Sequence, residues 1–256
     1  MGLFRKLLGR EPAWTERWSI YPSEVGDRLT MYNIDLGAVD AAPVAKLPVR
    51  LDVELTYDGD GASGMPRDEE LVEIRTLEDA VDKAMRALGG AYVGRVLTDN
   101  TCRMTGYLPE SAKAPEIPAG PSLRPRLTLT PDPAWSVVRD ELAPDPWQRN
   151  VIDDLQVIQQ LQAHDDRLDV PREVEFIAYF AEAERAEVAG EELCGDGFAT
   201  TVEPDDEGGF ALKAVRRDPV AAPDIHAVTW LVRETVERHD GEYDGWGCVI
   251  QIEPAD

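Results

Sequence analysis

A chain of 256 residues, 43% hydrophobic and 30% charged, is long enough for one large domain or two ordinary ones and too apolar to stay disordered. Its 50 acidic residues against 26 basic ones leave a formal net charge of −24. So acidic a surface repels phosphate backbones, which argues against direct nucleic-acid binding; the charge suits either a basic protein segment as partner, or solubility alone or a salty habitat.

The first segment, Met1 to Arg10, mixes Leu3, Phe4, Leu7 and Leu8 with Arg5, Lys6 and Arg10. It has neither the long apolar region nor the cleavage site of a secretory signal, and Lys6 stands where myristoylation needs Ser or Thr. A short amphipathic arm that packs on its own protein is the expectation. Arg28 to Leu36 carries a weak period of two. Leu47, Val49, Leu51, Val53 and Leu55 then alternate cleanly with polar residues or proline, as in a half-buried strand. Gly59, Gly61, Gly64 and Pro66 mark a loop. Beyond it Leu71, Ile74, Leu77, Val81, Ala84 and Leu88 recur at helical spacing until Gly89-Gly90 stops the helix. Strands over 91–97 and 102–108 follow, joined by a turn at Thr98-Asp99-Asn100.

From Pro109 to Pro125 the chain is proline-rich and turn-like, and Leu127 and Leu129 mark a further strand. Trp135 and Trp147 flank short helical or turn segments. A helix is expected over 146–163, with Pro146 at its favoured first position and Val151, Leu155 and Ile158 on one face. His164 to Asp169 reads as a linker, giving domains at 1–167 and 168–256.

In the last third, Val174, Phe176, Ala178 and Phe180 alternate as a strand. A helix over 182–193 has a stripe of small residues, Ala186 and Ala189 with Leu193, that lets it lie close to a sheet. Phe198, Thr200 and Val202 form a second strand. The turn Asp205-Asp206-Glu207-Gly208-Gly209 leads into a third with Phe210, Leu212 and Ala214. Ile225, Val228, Val232 and Val236 line the next helix, and Trp246, Cys248, Ile250 and Ile252 the final strand. The order βαββαβ is that of a ferredoxin-like sandwich. The expected fold is therefore α+β throughout: this sandwich, preceded by a second α+β domain with a mainly antiparallel sheet. Residues 168–256 hold 22 acidic and 7 basic residues, so that end carries most of the field.

Recognisable chemistry is sparse. The sequence has no Walker loop, no dinucleotide glycine fingerprint, no nucleophile elbow and no His-Glu-x-x-His. His164, His226 and His239 are isolated, and no Cys/His group has zinc-ligand spacing. No catalytic residue, metal or cofactor is expected. Asp58-Gly59-Asp60-Gly61, with Glu69 twelfth, resembles the start of a calcium loop. Ala62 and Ser63 replace its fifth and sixth residues, so a glycine-rich turn is the expectation. Cys102, Cys194 and Cys248 lie far apart and suit a reducing cytoplasm, and no apolar run reaches the roughly 20 residues of a membrane helix. Trp230 falls opposite the apolar stripe of its helix, so it either packs on other protein or anchors a partner.

Gly241-Glu242-Tyr243-Asp244-Gly245-Trp246, closing a βαββαβ unit, resembles the end of the regulator of ribonuclease E activity B family (RraB). The acidic balance and the Glu/Ala-rich first helix agree, and the resemblance spans about Arg172 to Ile252. The first domain resembles the bacterial family of domain of unknown function 695. The residues that carry this are Trp18-Ser19-Ile20-Tyr21, Tyr92-Val93-Gly94, Asp132-Pro133-Ala134-Trp135, and Pro171-Arg172-Glu173-Val174 leading to Tyr179-Phe180. The RraB resemblance implies a protein that binds ribonuclease E and restrains its cleavage of RNA, though here with an extra N-terminal domain; the cysteines and the missing motifs add the expectation of a cytoplasmic protein that is not an enzyme. The expected partner surface comprises Tyr243, Asp244, Trp246, Trp230 and the acidic turn Asp205, Asp206 and Glu207. The competing readings are an enzyme or small-molecule binder using a cleft between the domains, and a module that self-associates through Trp230.

Overall fold

A computed structural model of the chain describes residues 14–206 and 208–252. The N-terminal arm and Glu207 therefore lie outside the described residues. Backbone contacts divide the chain into two compact units, 1–144 and 145–256.

In the first unit, alternation builds one antiparallel sheet. Its elements are β1 (Trp18–Val25), β2 (Arg28–Asp35), α1 (Leu36–Ala41), β3 (Val49–Thr56), α2 (Asp68–Ala87), β4 (Ala91–Thr98), β5 (Thr101–Leu108) and β6 (Arg126–Pro131). The spatial order is β1-β2-β4-β5-β3-β6. Leu51, Val53 and Leu55 share one face of β3 and form a core with Ile74, Leu77, Val81 and Met85 of α2. The opposite face carries Ile34, Val93 and Tyr107, which form a second core with Trp135, Val138 and Leu142. Sequence pattern misses β1. As an edge strand it buries only Tyr21 deeply, while Trp18 and Ile20 stay exposed, so it shows no inward apolar series.

The quartet Asp132-Pro133-Ala134-Trp135 has a structural role. Trp135 is fully buried, stacks on Tyr107 with 4.0 Å between centroids, and donates its indole N–H to Leu47 O at 2.8 Å. Asp132 accepts from Tyr107 Oη at 2.7 Å and from Ser136 N and Oγ at 2.9 Å. Burial alone would raise its pKa, but these bonds hold it below the usual carboxylate range.

The second unit contains α3 (Pro146–Gln162), β7 (Arg172–Phe180), α4 (Ala183–Gly195), β8 (Ala199–Pro204), β9 (Phe210–Asp218), α5 (Asp224–Arg238) and β10 (Glu242–Cys248). From β7 onward this is βαββαβ, and the antiparallel sheet order β10-β7-β9-β8 puts its first and third strands in the centre. Val174, Phe176, Ala178 and Phe180 point to the helix-covered side, where Ala186, Ala189, Leu193, Ile225, Val228, Val232 and Val236 complete the core. The small stripe of α4 brings it close: a Cβ on Gly190 would sit 3.3 Å from Leu212 Cδ1.

Two expectations need correction. The boundary expected at 167/168 falls at 144/145 instead. Asp145 and Gln148 cap the start of α3 reciprocally, and Ile158 and Leu161 join the second unit's core. The stretch read as a linker is pinned within the same unit. Asp166 accepts from Arg172 Nη1 at 2.6 Å, with both side chains almost wholly buried, and from Gln251 N at 2.7 Å. Leu168 O also accepts from Val220 N. The second correction concerns the last strand, which ends at Cys248, leaving Ile250 and Ile252 exposed.

Candidate partner-binding groove

The Tyr-Asp-Gly-Trp stretch solves a spacing problem. In a regular strand residues 243 and 246 would face opposite sides of the sheet. In β10, Tyr243 pairs with Ala178, Gly245 with Ile177 and Trp246 with Phe176, so Asp244 is an extra, bulged residue. Gly245 takes φ +142°, a region that favours glycine. Tyr243, Trp246 and Cys248 thereby all pair with inward-facing residues of β7, and beyond the bulge the opposite side holds only Gly245 and Gly247.

Behind this strand, helix spacing gathers a polar knot. Asn150 and Asp154 lie one turn apart on α3, and His226, Thr229 and Arg233 follow one line along α5. Asp154 is 1% exposed. Its Oδ1 accepts the Trp246 indole N–H at 2.8 Å. Its Oδ2 accepts from Thr229 Oγ1 at 2.7 Å and from Asn150 Nδ2 at 3.2 Å. The fourth neighbour, His226 Nδ1, lies 2.8 Å from Oδ2, and since a carboxylate only accepts, that nitrogen carries the proton. Arg233 continues the network, donating to Asn150 Oδ1 at 2.9 Å and to Asp153 Oδ2 at 3.0 Å, with its guanidinium 4.9 Å from the Tyr243 ring centroid. The knot thus ties α3, α5 and β10 together.

On the solvent side of the knot runs an open groove of about 800 Å³ between α3 and β10. Its charged lining is Asp153, Asp154, Glu173, Glu175 and Asp244, against Arg233 alone. Glu175 is paired with Lys213 and Asp154 is committed to the knot, while Asp244 is exposed. Burial, then the neighbouring Asp154, raises the pKa of Asp153 against the pull of Arg233. Tyr243 is 8% exposed, lines the groove, and among the described residues its hydroxyl has no hydrogen-bond partner. Burial, followed by Asp154, keeps that phenol well above its ordinary pKa.

Of the residues expected at the partner surface, the structure brings Tyr243, Asp244 and Trp246 together in this groove. Trp230 is not in its lining. It packs edge-on against Trp147 at 5.4 Å, which joins α5 to the start of α3. Asp205 and Asp206 sit on the β8–β9 hairpin, outside the groove, where Asp205 Oδ1 caps Gly209 N at 2.7 Å. Sequence reasoning missed Asn150, Asp153, Asp154, His226, Thr229 and Arg233. The available signal was polar residues at intervals of three and four beside the apolar stripes of two helices.

In the first unit, the glycine-rich loop is closed by its own chain. Asp60 Oδ1 caps Ala62 N, Ser63 N and Gly64 N, and Glu70 accepts from Asp58 N, Gly59 N and Arg67 N. Among the described residues no group of three or more His, Cys, Asp or Glu is placed to hold a metal ion, and no helix is long and apolar enough to cross a membrane.

Comparison with family models gives two matches, Regulator of ribonuclease activity B over residues 152–248 and Family of unknown function (DUF695) over residues 16–137. A search of curated proteins finds no match. The first match begins within α3, so it takes in Asp153 and Asp154 with the βαββαβ unit. Residues 16–137 are therefore a DUF695 domain, and residues 152–248 are a domain of the regulator of ribonuclease activity B family.

Proposed function

We propose that this chain regulates an endoribonuclease of the ribonuclease E type without catalysis of its own, by docking a basic segment of that enzyme in the groove between α3 and β10. The observation that carries this reading is the lining: five carboxylates against one arginine, with the Trp246 indole and the Tyr243 ring beside them. The second unit as a whole, residues 145–256, holds 27 acidic and 9 basic residues, so its field steers a basic segment toward it. The same field repels RNA, so the regulator acts on the enzyme and not on the transcript.

Arg233 illustrates the chemistry. Its guanidinium bonds two side-chain oxygens and lies over an aromatic ring, the environment a partner's arginine would seek. Asp244 and Asp153 are the residues proposed to meet such a side chain, with Tyr243 and Trp246 shaping the wall. The test is a titration of the chain against the basic segments of a ribonuclease E-type enzyme, with RNA cleavage followed in parallel. Asp244→Lys should weaken binding and relieve inhibition. Asp205→Lys with Asp206→Lys should lower only the association rate. No binding at low salt, together with unchanged cleavage at saturating protein, would overturn the proposal.

A further inference from the structure

Resting on that docking reading, we infer that the groove takes its basic segment as an added β-strand, hydrogen-bonded to the free edge of β10. Among the described residues β10 is the outermost strand of its sheet, and its ladder partner is β7 alone. The bulge sends Tyr243, Trp246 and Cys248 to the helix side and leaves Gly245 and Gly247 on the other. A Cβ built on either glycine meets nothing within 4 Å, so the sheet face beside this edge is open. Edge strands in soluble proteins are usually guarded by charge, proline, a bulge or a covering element. β10 carries its bulge and its charges, Glu242 and Asp244, at its start, so the stretch 245–248 beyond them has no charge and no proline.

Those two carboxylates also select the occupant. A second copy of β10 would bring acid against acid, which is unfavourable across a strand pair, whereas a basic segment brings opposite charges. A strand added about 4.8 Å from β10 would point alternate side chains to opposite sides. One set would meet Asp153, Gln156 and Val157 of α3. The other would meet Glu175 and Ile177 of β7, which line the groove beside Gly245 and Gly247. Backbone bonds would then supply affinity, and the carboxylates would select arginine or lysine at every second position.

The test uses the full chain and a short synthetic peptide that alternates arginine and valine, with affinity measured at low salt. Two further peptides carry backbone N-methyl groups, one on the arginines and the other on the valines. Charge and sequence are unchanged, but each loses one alternate set of N–H donors. A strand added to β10 presents only one set to the edge. One methylated peptide should therefore lose about tenfold or more in affinity, the equivalent of one or two hydrogen bonds, while the other binds nearly as the parent does. Gly247→Leu, which builds into open space and should leave the fold intact, should weaken the parent peptide by a comparable factor. If both methylated peptides bind alike, or Gly247→Leu binds as tightly as the unaltered chain, strand addition is wrong while docking stands. If the parent peptide does not bind at all, the docking reading fails and strand addition with it.

Discussion

Asp154→Ala removes the acceptor on which α3, α5 and β10 converge. Four donors point at that carboxylate, but not all would be stranded. Thr229 Oγ1 keeps His226 O as an acceptor at 3.1 Å, and Asn150 Nδ2 keeps Thr229 Oγ1 at 2.7 Å. Among the described residues the Trp246 indole and His226 Nδ1 have no other bond, so they are left without an acceptor. Each stranded group costs about 1–3 kcal/mol, and the indole falls at the low end because it borders the groove and water can reach it. The expected loss is therefore about 2–4 kcal/mol, close to the cost of breaking a buried charged cluster from one side. Urea unfolding of the full chain, followed by far-ultraviolet circular dichroism and by tryptophan fluorescence, measures it. The second unit's transition should move to lower urea while the first unit's stays in place. A loss below about 1 kcal/mol would refute the view that this carboxylate organises the site.

Further outcomes follow from the same geometry. Tyr243→Phe deletes a buried hydroxyl that has no partner among the described residues, so urea unfolding should show stability unchanged or raised by up to about 1 kcal/mol. A fragment of residues 145–256 should fold by circular dichroism, whereas one starting at Leu168 should not. The shorter piece lacks Asp166 and leaves Arg172 buried without its carboxylate, a defect worth about 3–5 kcal/mol. Burial holds Tyr57, Tyr92, Tyr107 and Tyr243 above their ordinary pKa in the folded chain. Their contribution is complete below the unfolded value of about 10 and is lost as pH climbs beyond it, so denaturation midpoints should fall in alkali. The raised pKa of Asp153 makes basic-peptide affinity begin to fall at a higher pH than an ordinary aspartate would on acidification, and Asp153→Asn should remove that early phase.

Much of the fold is legible because burial imposes periodicity. Leu51, Val53 and Leu55 on β3, Val174, Phe176 and Ala178 on β7, and the stripe Ile225, Val228, Val232 and Val236 on α5 are where alternation and helical spacing place them. β1 was silent because an edge strand with Trp18 and Ile20 in solvent has no inward series to read. The domain boundary misled because His164 to Asp169 is polar, as linkers are, yet Asp166 is polar in order to meet a buried arginine. Half of the groove could be read from Tyr243, Asp244 and Trp246, whose spacing already signals a bulge. The other half could not. Asp154 and His226 are 72 residues apart, and only the packing of α3 on α5 brings them together.

The central claim is that an acidic groove, and not diffuse charge, recognises a basic segment. The most direct measurement is calorimetric titration of that segment, at low salt and at ~0.1 M salt, into three proteins. These are the unaltered chain, Asp244→Lys with Glu173→Lys in the groove, and Asp205→Lys with Asp206→Lys on the hairpin. Both double variants change the net charge equally. The account predicts that binding to the unaltered chain weakens as salt rises, that the groove variant loses binding even at low salt, and that the hairpin variant keeps most of it. Equal losses in the two variants would contradict the account and leave only the chain's overall charge as the attraction.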